Sequence, residues 1–348
     1  MSRRIRNGSN GSLRMEDSGM PPVGASLLAT ALALALATTA SAAGAPQIRW
    51  QASDGAVTVA YSRDRRLIAD AGSTQLIQIR NAPDGRLVRS IRDKSGINTL
   101  AFSPDSTVIA GGRTNGTSGN LKVYRVADGV QLMLLAGHSN ATRSVSYSPD
   151  GSLLASGGDD RNVKLWRASD GTLLRTLSDG TRVRSVAFSQ DGTLLASAGQ
   201  GGVVKIWQVG SGALLLTLDG FAGSVSQVAF SPDGTLVAAA SLDGTVRLWR
   251  TSDGGLVRVI TLPSAGGSVA SLAFSPNGAA LATGNDEVAP SPEHGTVRFY
   301  RVSDGRLVTT FDRETDVYVR SIAFHPFGGT FVYVRAVDGV LTVAATPF

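Results

Sequence analysis

One phrase, an apolar segment followed by a proline or aspartate turn as in AFSPDG, recurs along this chain of 348 residues. The gaps between successive copies of its aromatic residue are 41, 45, 41, 42, 44 and 50 residues, the copies being Tyr61, Phe102, Tyr147, Phe188, Phe230, Phe274 and Phe324. Such self-similarity indicates one supersecondary unit built many times. Seven units fill residues 46–348.

Each unit reads as four short strands, which we call a, b, c and d. In the fourth unit these are RSVAFS, TLLASA, VVKIW and ALLLTL, separated by turns that contain glycine. Alternation of apolar and polar residues is typical of half-buried strands, and Asp-Gly between two such runs favours a hairpin. No apolar run reaches helical length between the turn residues. The chain is therefore expected to be all-β.

Four strands in a period of 40–45 residues are typical of one propeller blade, and here the sequence resembles a known family. GHSNATRSVSYSPDGSLLASGGDDRNVKLW, residues 137–166, is similar to a blade of the WD-repeat proteins. That resemblance implies a hydrogen-bonded set inside the blade, matched in full only in the third unit by His138, Ser156, Asp160 and Trp166. Other units keep parts of the set: Gly201 replaces the Asp in the fourth, and Arg80 and Ala344 replace the Trp in the first and seventh.

The two ends of the repeat predict how the ring closes. The last unit lacks its fourth strand, whereas PQIRWQASDGAV at residues 46–57 resembles the end of a unit without its beginning. We expect this segment to pair as the outer strand of the last blade, because an open seam would expose an unpaired strand edge. The predicted fold is a seven-bladed β-propeller with four antiparallel strands per blade, closed by its N-terminal strand.

The N-terminus has the order of a secretory signal. Four arginines precede the uncharged run SLLATALALALATT, which is followed by Ala40-Ser41-Ala42. Basic, apolar and small-residue regions in this order are typical of signal peptides. We expect cleavage after Ala42, giving a signal peptide of residues 1–42, a propeller of residues 43–348 and a periplasmic or extracellular location. The alternative is an uncleaved anchor that faces out of the cytoplasm; a twin-arginine signal fits less well.

Composition excludes several kinds of site. The chain has no cysteine, which removes disulfides, zinc–thiolate sites and thiol catalysis. Its formal net charge of +6 comes from 33 basic and 27 acidic residues. Arginines and acids alternate, so we expect no nucleic-acid partner. Four arginines stand three residues before an aspartate across a c–d turn and are expected to form local ion pairs: Arg125 with Asp128, Arg167 with Asp170, Arg250 with Asp253, and Arg301 with Asp304.

The repeat offers a distinctive site only where its units differ, and its three insertions all fall in b–c and d–a connections. They are GGRTNGTSGN at 111–120, GNDEVAPSPEHG at 284–295 and DRETDVY at 312–318. Propeller topology places these connections on one face, which we call the elaborated face. The last two insertions are expected to be neighbours and to form an acidic patch. The residues predicted to bind a partner are Asp286, Glu287, Glu293, Asp312, Arg313, Glu314, Asp316, Tyr318, Arg113 and Asn115.

No catalytic motif accompanies the repeat. The chain lacks a G-x-S-x-G elbow, a phosphate-cradling glycine loop with lysine and an H-E-x-x-H pair. We therefore expect a monomeric, non-catalytic scaffold without cofactor or metal, which binds a protein or peptide, for example a basic segment, and touches a membrane only through an uncleaved N-terminus. The alternatives are solvated loops without a partner, a divalent-cation site, and a secreted propeller hydrolase, lactonase-like enzyme or carbohydrate-binding propeller.

Overall fold

The chain is described by a computed structural model, which covers residues 48–53, 55–72, 74–113, 119–262, 267–286, 296–311, 319–335 and 339–347. These residues form 28 strands in seven sheets of four. Every strand pair inside a sheet is antiparallel. The predicted seven-bladed all-β propeller is confirmed.

The first four blades follow one another along the chain, each listed from its inner strand a to its outer strand d. They contain β2 (Ala56–Tyr61), β3 (Leu67–Gly72), β4 (Leu76–Asn81) and β5 (Leu87–Arg92); β6 (Ile97–Phe102), β7 (Val108–Arg113), β8 (Gly119–Arg125) and β9 (Gln131–His138); β10 (Thr142–Tyr147), β11 (Leu153–Gly158), β12 (Asn162–Arg167) and β13 (Leu173–Ser178); and β14 (Val183–Phe188), β15 (Leu194–Gly199), β16 (Val204–Gln208) and β17 (Leu214–Leu218).

The last three blades complete the ring. They contain β18 (Val225–Phe230), β19 (Leu236–Ser241), β20 (Thr245–Arg250) and β21 (Leu256–Thr261); β22 (Ser268–Phe274), β23 (Ala280–Asp286), β24 (Val297–Arg301) and β25 (Leu307–Phe311); and β26 (Val319–Phe324), β27 (Thr330–Arg335), β28 (Val340–Ala345) and β1 (Ile48–Ser53). The inner strand of each blade contacts the inner strands of its two neighbours, and β26 contacts β2.

The N-terminal strand closes this ring as the sequence predicts. β1 is the outer strand of the seventh blade and pairs with β28 from Ile48 opposite Ala344 to Ser53 opposite Val340. The indole Nε1 of Trp50 also donates a hydrogen bond to the carbonyl of Ala82 in the first blade, at 2.9 Å. The strand therefore pairs with the main-chain hydrogen-bonding groups at the edge of β28, and Trp50 connects the last blade to the first.

The core lies between blades, because both faces of each sheet meet a neighbouring sheet. One apolar cluster, for example, joins Ile77 and Ile79 of the first blade to Ile97 and Ile109 of the second, all four fully buried. Trp166, Trp207 and Trp249 occupy one repeat position on strand c and are buried. They therefore act as packing residues between the blades.

Hydrogen bonds between inner strands add a second link between blades. In five blades, the third residue of strand a carries a polar side chain that accepts a hydrogen bond from the main chain of the next blade. The contacts are Val59 N to Ser321 Oγ (3.3 Å), Val145 N to Thr99 Oγ1 (3.2 Å), Val186 N to Ser144 Oγ (3.0 Å), Val228 N to Ser185 Oγ (3.1 Å) and Leu272 N to Gln227 Oε1 (3.1 Å). In these five blades, the polar residue of the RSVAF-like phrase thus has a structural task.

Candidate functional site

The three insertions depart from strand ends on one face of the ring. Their flanking strands end at Arg113, Asp286 and Phe311 and resume at Gly119, Val297 and Val319, and each connection is of the b–c or d–a type. Most residues predicted to bind a partner lie outside the described residues: Glu287, Glu293, Asp312, Arg313, Glu314, Asp316, Tyr318 and Asn115. Asp286 is the last residue of β23, and Arg113, half-buried, ends β7 opposite Ile97.

The described part of the elaborated face is basic around the inner strands. Arg143, Arg184 and Arg320 occupy the second position of β10, β14 and β26, and all three are exposed. The Nη2 of Arg143 pairs with the carboxylate of Asp159 at 2.5 Å. Arginines therefore stand on the inner strands of the face whose sixth and seventh blades carry the acidic insertions.

The four residues implied by the family resemblance meet inside the third blade. Trp166 Nε1 donates to Ser156 Oγ at 2.9 Å, Ser156 Oγ lies 2.7 Å from His138 Nε2, and His138 Nδ1 lies 2.9 Å from Asp160 Oδ1. A carboxylate only accepts, so the imidazole donates from Nδ1 and accepts the serine proton at Nε2. Burial raises the pKa of Asp160, but the hydrogen bonds from His138 and from the main chain of Ser139 and Asn162 outweigh it and lower the pKa overall.

This order of groups, carboxylate to imidazole to serine, is also that of a nucleophilic triad. A nucleophile must reach its substrate, however, and Ser156 is 0% exposed and His138 2% exposed. Trp166 also occupies an acceptor site on the serine oxygen. The arrangement holds the d–a connection of residues 138–142 against strands b and c, and it offers no access for acyl transfer.

Two neighbouring blades place an aspartate where the third blade has His138, four residues before the inner strand. In the second blade, Tyr124 Oη donates to Asp93 Oδ2 at 2.6 Å and Lys122 Nζ donates to Asp93 Oδ1 at 3.1 Å. In the fourth blade, Ser197 Oγ donates to Asp179 Oδ2 at 2.6 Å and receives Trp207 Nε1 at 2.8 Å. Matching residue types to the family set did not predict these aspartates, although their spacing from the inner strand marks them.

The first and fifth blades fill the same space differently. Arg80, at the tryptophan position, lies 3.6 Å from Asp70 at the serine position, and the Asp70 side chain is 1% exposed. In the fifth blade Phe221 contacts Trp249 edge to face, with ring centroids 5.6 Å apart. These groups are buried between strands, so they serve the blades rather than a ligand.

The predicted ion pairs across the c–d turns are confirmed. The arginine–aspartate distances are 2.8 Å for Arg125–Asp128, 2.8 Å for Arg167–Asp170, 3.0 Å for Arg250–Asp253 and 2.8 Å for Arg301–Asp304. Hydrogen bonds from Thr172 and Arg167 lower the pKa of Asp170 to about 2. Exposed pairs of this kind stabilise a fold by roughly 0–1 kcal/mol each, so these charges are local turn contacts.

Within the described ranges, no three His, Asp or Glu side chains stand close enough to share a metal ion. The same part of the chain contains no helix with the length and apolar character needed to cross a bilayer.

Comparison with known proteins gives one family. The model described as "WD domain, G-beta repeat" matches residues 85–125, 129–167, 171–208, 212–250 and 256–300, more than half of the chain. Each match runs from a d strand, or the turn before it, through strand c of the next blade. Each sequence unit thus contains strand d of one blade and strands a, b and c of the next. Because of this offset, the last blade takes its strand d from the N-terminal strand.

Individual relatives are similar over about a third of the chain. WD repeat-containing protein SL1-17 of Schistosoma mansoni is 33% identical over 118 residues, which cover 34% of this chain and 38% of the relative. An uncharacterized WD repeat-containing protein of Synechocystis sp. is 31% identical over 118 residues, covering 33% of each protein. WD repeat and HMG-box DNA-binding protein 1 of Xenopus laevis is 36% identical over 108 residues, covering 30% of this chain and 9% of the relative. The alignments thus span well under half of these relatives.

Proposed function

Since this chain belongs to the WD40-repeat family, we propose that it is an exported, non-catalytic scaffold that binds a protein or peptide partner on its elaborated face. WD-repeat propellers generally act as protein-interaction platforms. The choice of face rests on the distribution of the insertions: blades of nearly constant length gain extra residues only in connections that leave one side of the ring. Binding residues occur disproportionately on connecting loops, so a partner is a physical reason for these extra residues.

The chemistry of this face favours a partner with basic and apolar groups. The two insertions of the sixth and seventh blades contribute six carboxylates by sequence against one arginine. Tyr318 is the proposed aromatic anchor beside them, because tyrosine is enriched among the residues that dominate binding energy. The signal-like order of residues 1–42 supports export, which would bring the propeller to a partner outside the cytoplasm.

Capture of the partner from an envelope extract tests this proposal. The chain is used as bait beside a variant in which four acids of the elaborated face become amides: Asp286→Asn, Glu287→Gln, Asp312→Asn and Glu314→Gln. A control variant has the same change in charge on the opposite face: Asp128→Asn, Asp170→Asn, Asp253→Asn and Asp304→Asn. The N-terminal residue of the protein recovered from the envelope is read in the same experiment, and Ala43 is expected.

We expect one partner to be held by the parent chain and the control variant and lost by the first variant, with all three melting alike. Equal capture by all three would show that the acidic insertions are solvated loops. A bound metal or a hydrolytic activity in the recovered protein would support a propeller enzyme instead. A recovered protein that begins upstream of Ala43 would favour the uncleaved anchor.

A further inference from the structure

The a–b turns lie on the face opposite the insertions, and they have constant length but not constant residues. Five of the seven begin Ser-Pro-Asp, Ser-Pro-Asn or Ser-Gln-Asp, whereas the first blade has Ser62-Arg63-Asp64-Arg65 and the seventh has His325-Pro326-Phe327-Gly328. These two turns are 262 residues apart at Arg65 and Phe327, yet ring closure makes them neighbours. The strongest departures from the repeat on this face therefore meet at one seam.

Arg65 and Phe327 contact each other across this seam. The guanidinium carbon of Arg65 lies 3.5 Å from the centre of the Phe327 ring, and that ring is still 66% exposed. Arg65 has a φ of 71°, where four of the other turns have glycine with φ between 71° and 75° and the seventh blade has Gly328. A non-glycine residue in this region is strained by roughly 1–2 kcal/mol. Strain and a large exposed aromatic ring occur together here.

A cavity of about 480 Å³ opens beside this contact at the mouth of the ring. Its walls combine polar residues, Gln190 and Ser231, with the phenylalanines that end four inner strands (Phe188, Phe230, Phe274 and Phe324) and the prolines of three turns. Arg63 is the charged residue among its lining side chains, and Phe327 forms part of its rim. The volume lies within the range of about 300–1,000 Å³ typical of ligand pockets. We call this cavity the seam pocket.

Arg63 is placed to receive an anion at the pocket. Its Nη1 donates to the carbonyl of Pro149, two blades away, at 3.0 Å, and the arginine itself is exposed. A neutral carbonyl is a weaker acceptor for a guanidinium than a carboxylate, which forms shorter and stronger charge-assisted bonds. A ligand carboxylate would therefore be a stronger acceptor for Arg63 than the carbonyl of Pro149, and Arg63 could bind it while staying at the mouth of the ring.

Among the residues that line the seam pocket, Arg63 is the charged side chain. Arg65 stands on the rim, and Arg49 of β1 is near enough for its charge, with burial and the charge of Arg65, to lower the pKa of His325. Asp64 accepts hydrogen bonds from Ser62 Oγ and from the main chain of Arg66. The turn aspartates of the other blades are likewise held by their own turn, as Asp233 is by Ser231 and Thr235. These carboxylates keep their charge, but they are bonded within their own turns and none of them lines the seam pocket.

We propose that the seam pocket binds an apolar peptide segment that carries a carboxylate, from Asp, Glu or a free C-terminus. Apolar side chains of the segment enter the phenylalanine- and proline-lined cavity, its carboxylate pairs with Arg63, and it packs on the exposed ring of Phe327. A groove lined by aromatic rings and prolines suits an extended peptide, whose main chain needs little added order. This site is separate from the elaborated face and takes a ligand of opposite charge.

Two substitutions that restore the repeat test this assignment without endangering the fold. Phe327→Asp and Arg63→Pro introduce residues that equivalent turns already have. Asn277→Asp is the matched control for the first, because it adds the same charge at the same turn position in the sixth blade, at a residue that does not itself line the seam pocket. Arg65→Gly, which removes both the strain and the contact with Phe327, reports on a purely structural role for the seam.

The probe is a random heptapeptide library displayed on phage, selected on the full chain and counter-selected on the Phe327→Asp, Arg63→Pro double variant. We expect enriched peptides to combine aromatic or aliphatic residues with Asp, Glu or a free C-terminus. A synthetic copy of one such peptide should lose about tenfold or more in affinity with either single variant, as expected when one partner of a desolvated charge pair or an aromatic anchor is removed. The same peptide with amides in place of its carboxylates should bind the parent as weakly as the carboxylate form binds Arg63→Pro.

The proposal is overturned if no peptide survives counter-selection, or if Asn277→Asp weakens binding as much as Phe327→Asp. Binding of dodecanoate in place of any peptide would assign the pocket to a fatty acid and overturn it as well. If the seam residues only close the ring, Arg65→Gly and Phe327→Asp will lower the melting temperature while no peptide binds. The acid-to-amide variant of the elaborated face should bind the selected peptides normally. A failure of this proposal can therefore be distinguished from a failure of the proposed function.

Discussion

At the scale of single residues, one position decides how each blade fixes the connection that enters it. The residue four places before the inner strand is Asp93, His138, Asp179 or Phe221 in the second to fifth blades. Each reaches toward the aromatic residue of strand c, directly or through a serine. In all four blades this position thus keeps a connection to the aromatic residue of strand c, although its own side chain changes.

Sequence reasoning located this set only where its residue types match the family. His138 was found because histidine, serine, aspartate and tryptophan all occur at the expected places in the third blade. Asp93 and Asp179 were missed because residue types were compared before positions, and an aspartate at that place accepts hydrogen bonds where histidine both donates and accepts. Counting four residues back from each predicted inner strand would have found both.

The buried carboxylate of Asp93 should give the fold an acid-sensitive component. Burial would raise the pKa of Asp93, but hydrogen bonds from Ser95, Tyr124 and Lys122 together hold it below its ordinary value. A lowered folded-state pKa means that the stabilisation is fully present above the unfolded pKa of about 3.9 and is lost as the pH falls through the folded value. Asp93→Asn should lower the free energy of unfolding at pH 7 by about 1–3 kcal/mol, since it leaves buried donors without an acceptor.

Urea unfolding of parent and variant between pH 7 and pH 2.5 measures this effect. The difference between the two should be constant down to about pH 4 and shrink below it. Asp219→Asn, an exposed change of the same charge, is the control and should leave the parent's stability nearly unchanged. A difference that persists undiminished at pH 2.5 would mean that Asp93 acts through packing rather than charge.

At the scale of strands, alternation alone predicts where each element lies but not how neighbouring blades are joined. The register shifts between the first and third residues of six inner strands, for example between Val183 and Ser185 in β14, and between the second and fourth residues of β22. Because of this irregularity, the third side chain turns toward the next blade, where Ser185 Oγ accepts from Val228 N. The repeated Ser, Thr or Gln at this position is plain in the sequence, yet its partner is visible only once the blades are placed side by side.

Removing one of these links should cost measurable stability. Ser185 is 6% exposed, so Ser185→Ala leaves the main-chain N–H of Val228 buried without its acceptor and should lower the free energy of unfolding by about 1–3 kcal/mol. Ser185→Thr should restore most of it, because Thr99 makes the same contact to Val145 in another pair of blades. Urea denaturation of the three proteins gives both values.

The exposed Ser90, on an outer strand, provides the control. Its hydroxyl donates to Gln78 at 3.3 Å in contact with water, and Ser90→Ala should change stability by less than about 0.5 kcal/mol. If Ser185→Ala is as mild as Ser90→Ala, water replaces the hydroxyl and the link contributes little to the contact between the fourth and fifth blades.

At the scale of the whole molecule, the sequence predicts the ring and its closure because period, strand count and unmatched ends are all local patterns. The seam pocket was not predicted, because the a–b turns were compared by length, and only closure brings residues of the first and seventh turns together. The acidic residues of the elaborated face remain predictions, since their insertions lie outside the described residues. Function in this fold thus depends on which departures from the repeat become neighbours in the closed ring.

Closure itself should depend on Trp50, which joins the last blade to the first. Its indole donates to the carbonyl of Ala82, and its ring packs so tightly on Gly85 that a β-carbon there would lie 2.5 Å from it. Trp50→Ala should lower the free energy of unfolding by about 2–3 kcal/mol, through lost apolar burial and a lost hydrogen bond. It should also promote self-association, because loosening of β1 (Ile48–Ser53) uncovers the edge of β28 (Val340–Ala345).

Thermal unfolding and light scattering of the chain and three variants separate these effects. Trp50→Phe keeps much of the ring packing and should lose only about 1 kcal/mol from the hydrogen bond. Ile48→Thr changes a side chain of the same strand that is 48% exposed and should leave both melting and association near those of the parent. If Trp50→Ala instead melts at the same temperature as Ile48→Thr and stays monodisperse, only the hydrogen bonds to β28 would hold β1. The first and last blades would then be joined through their inner strands.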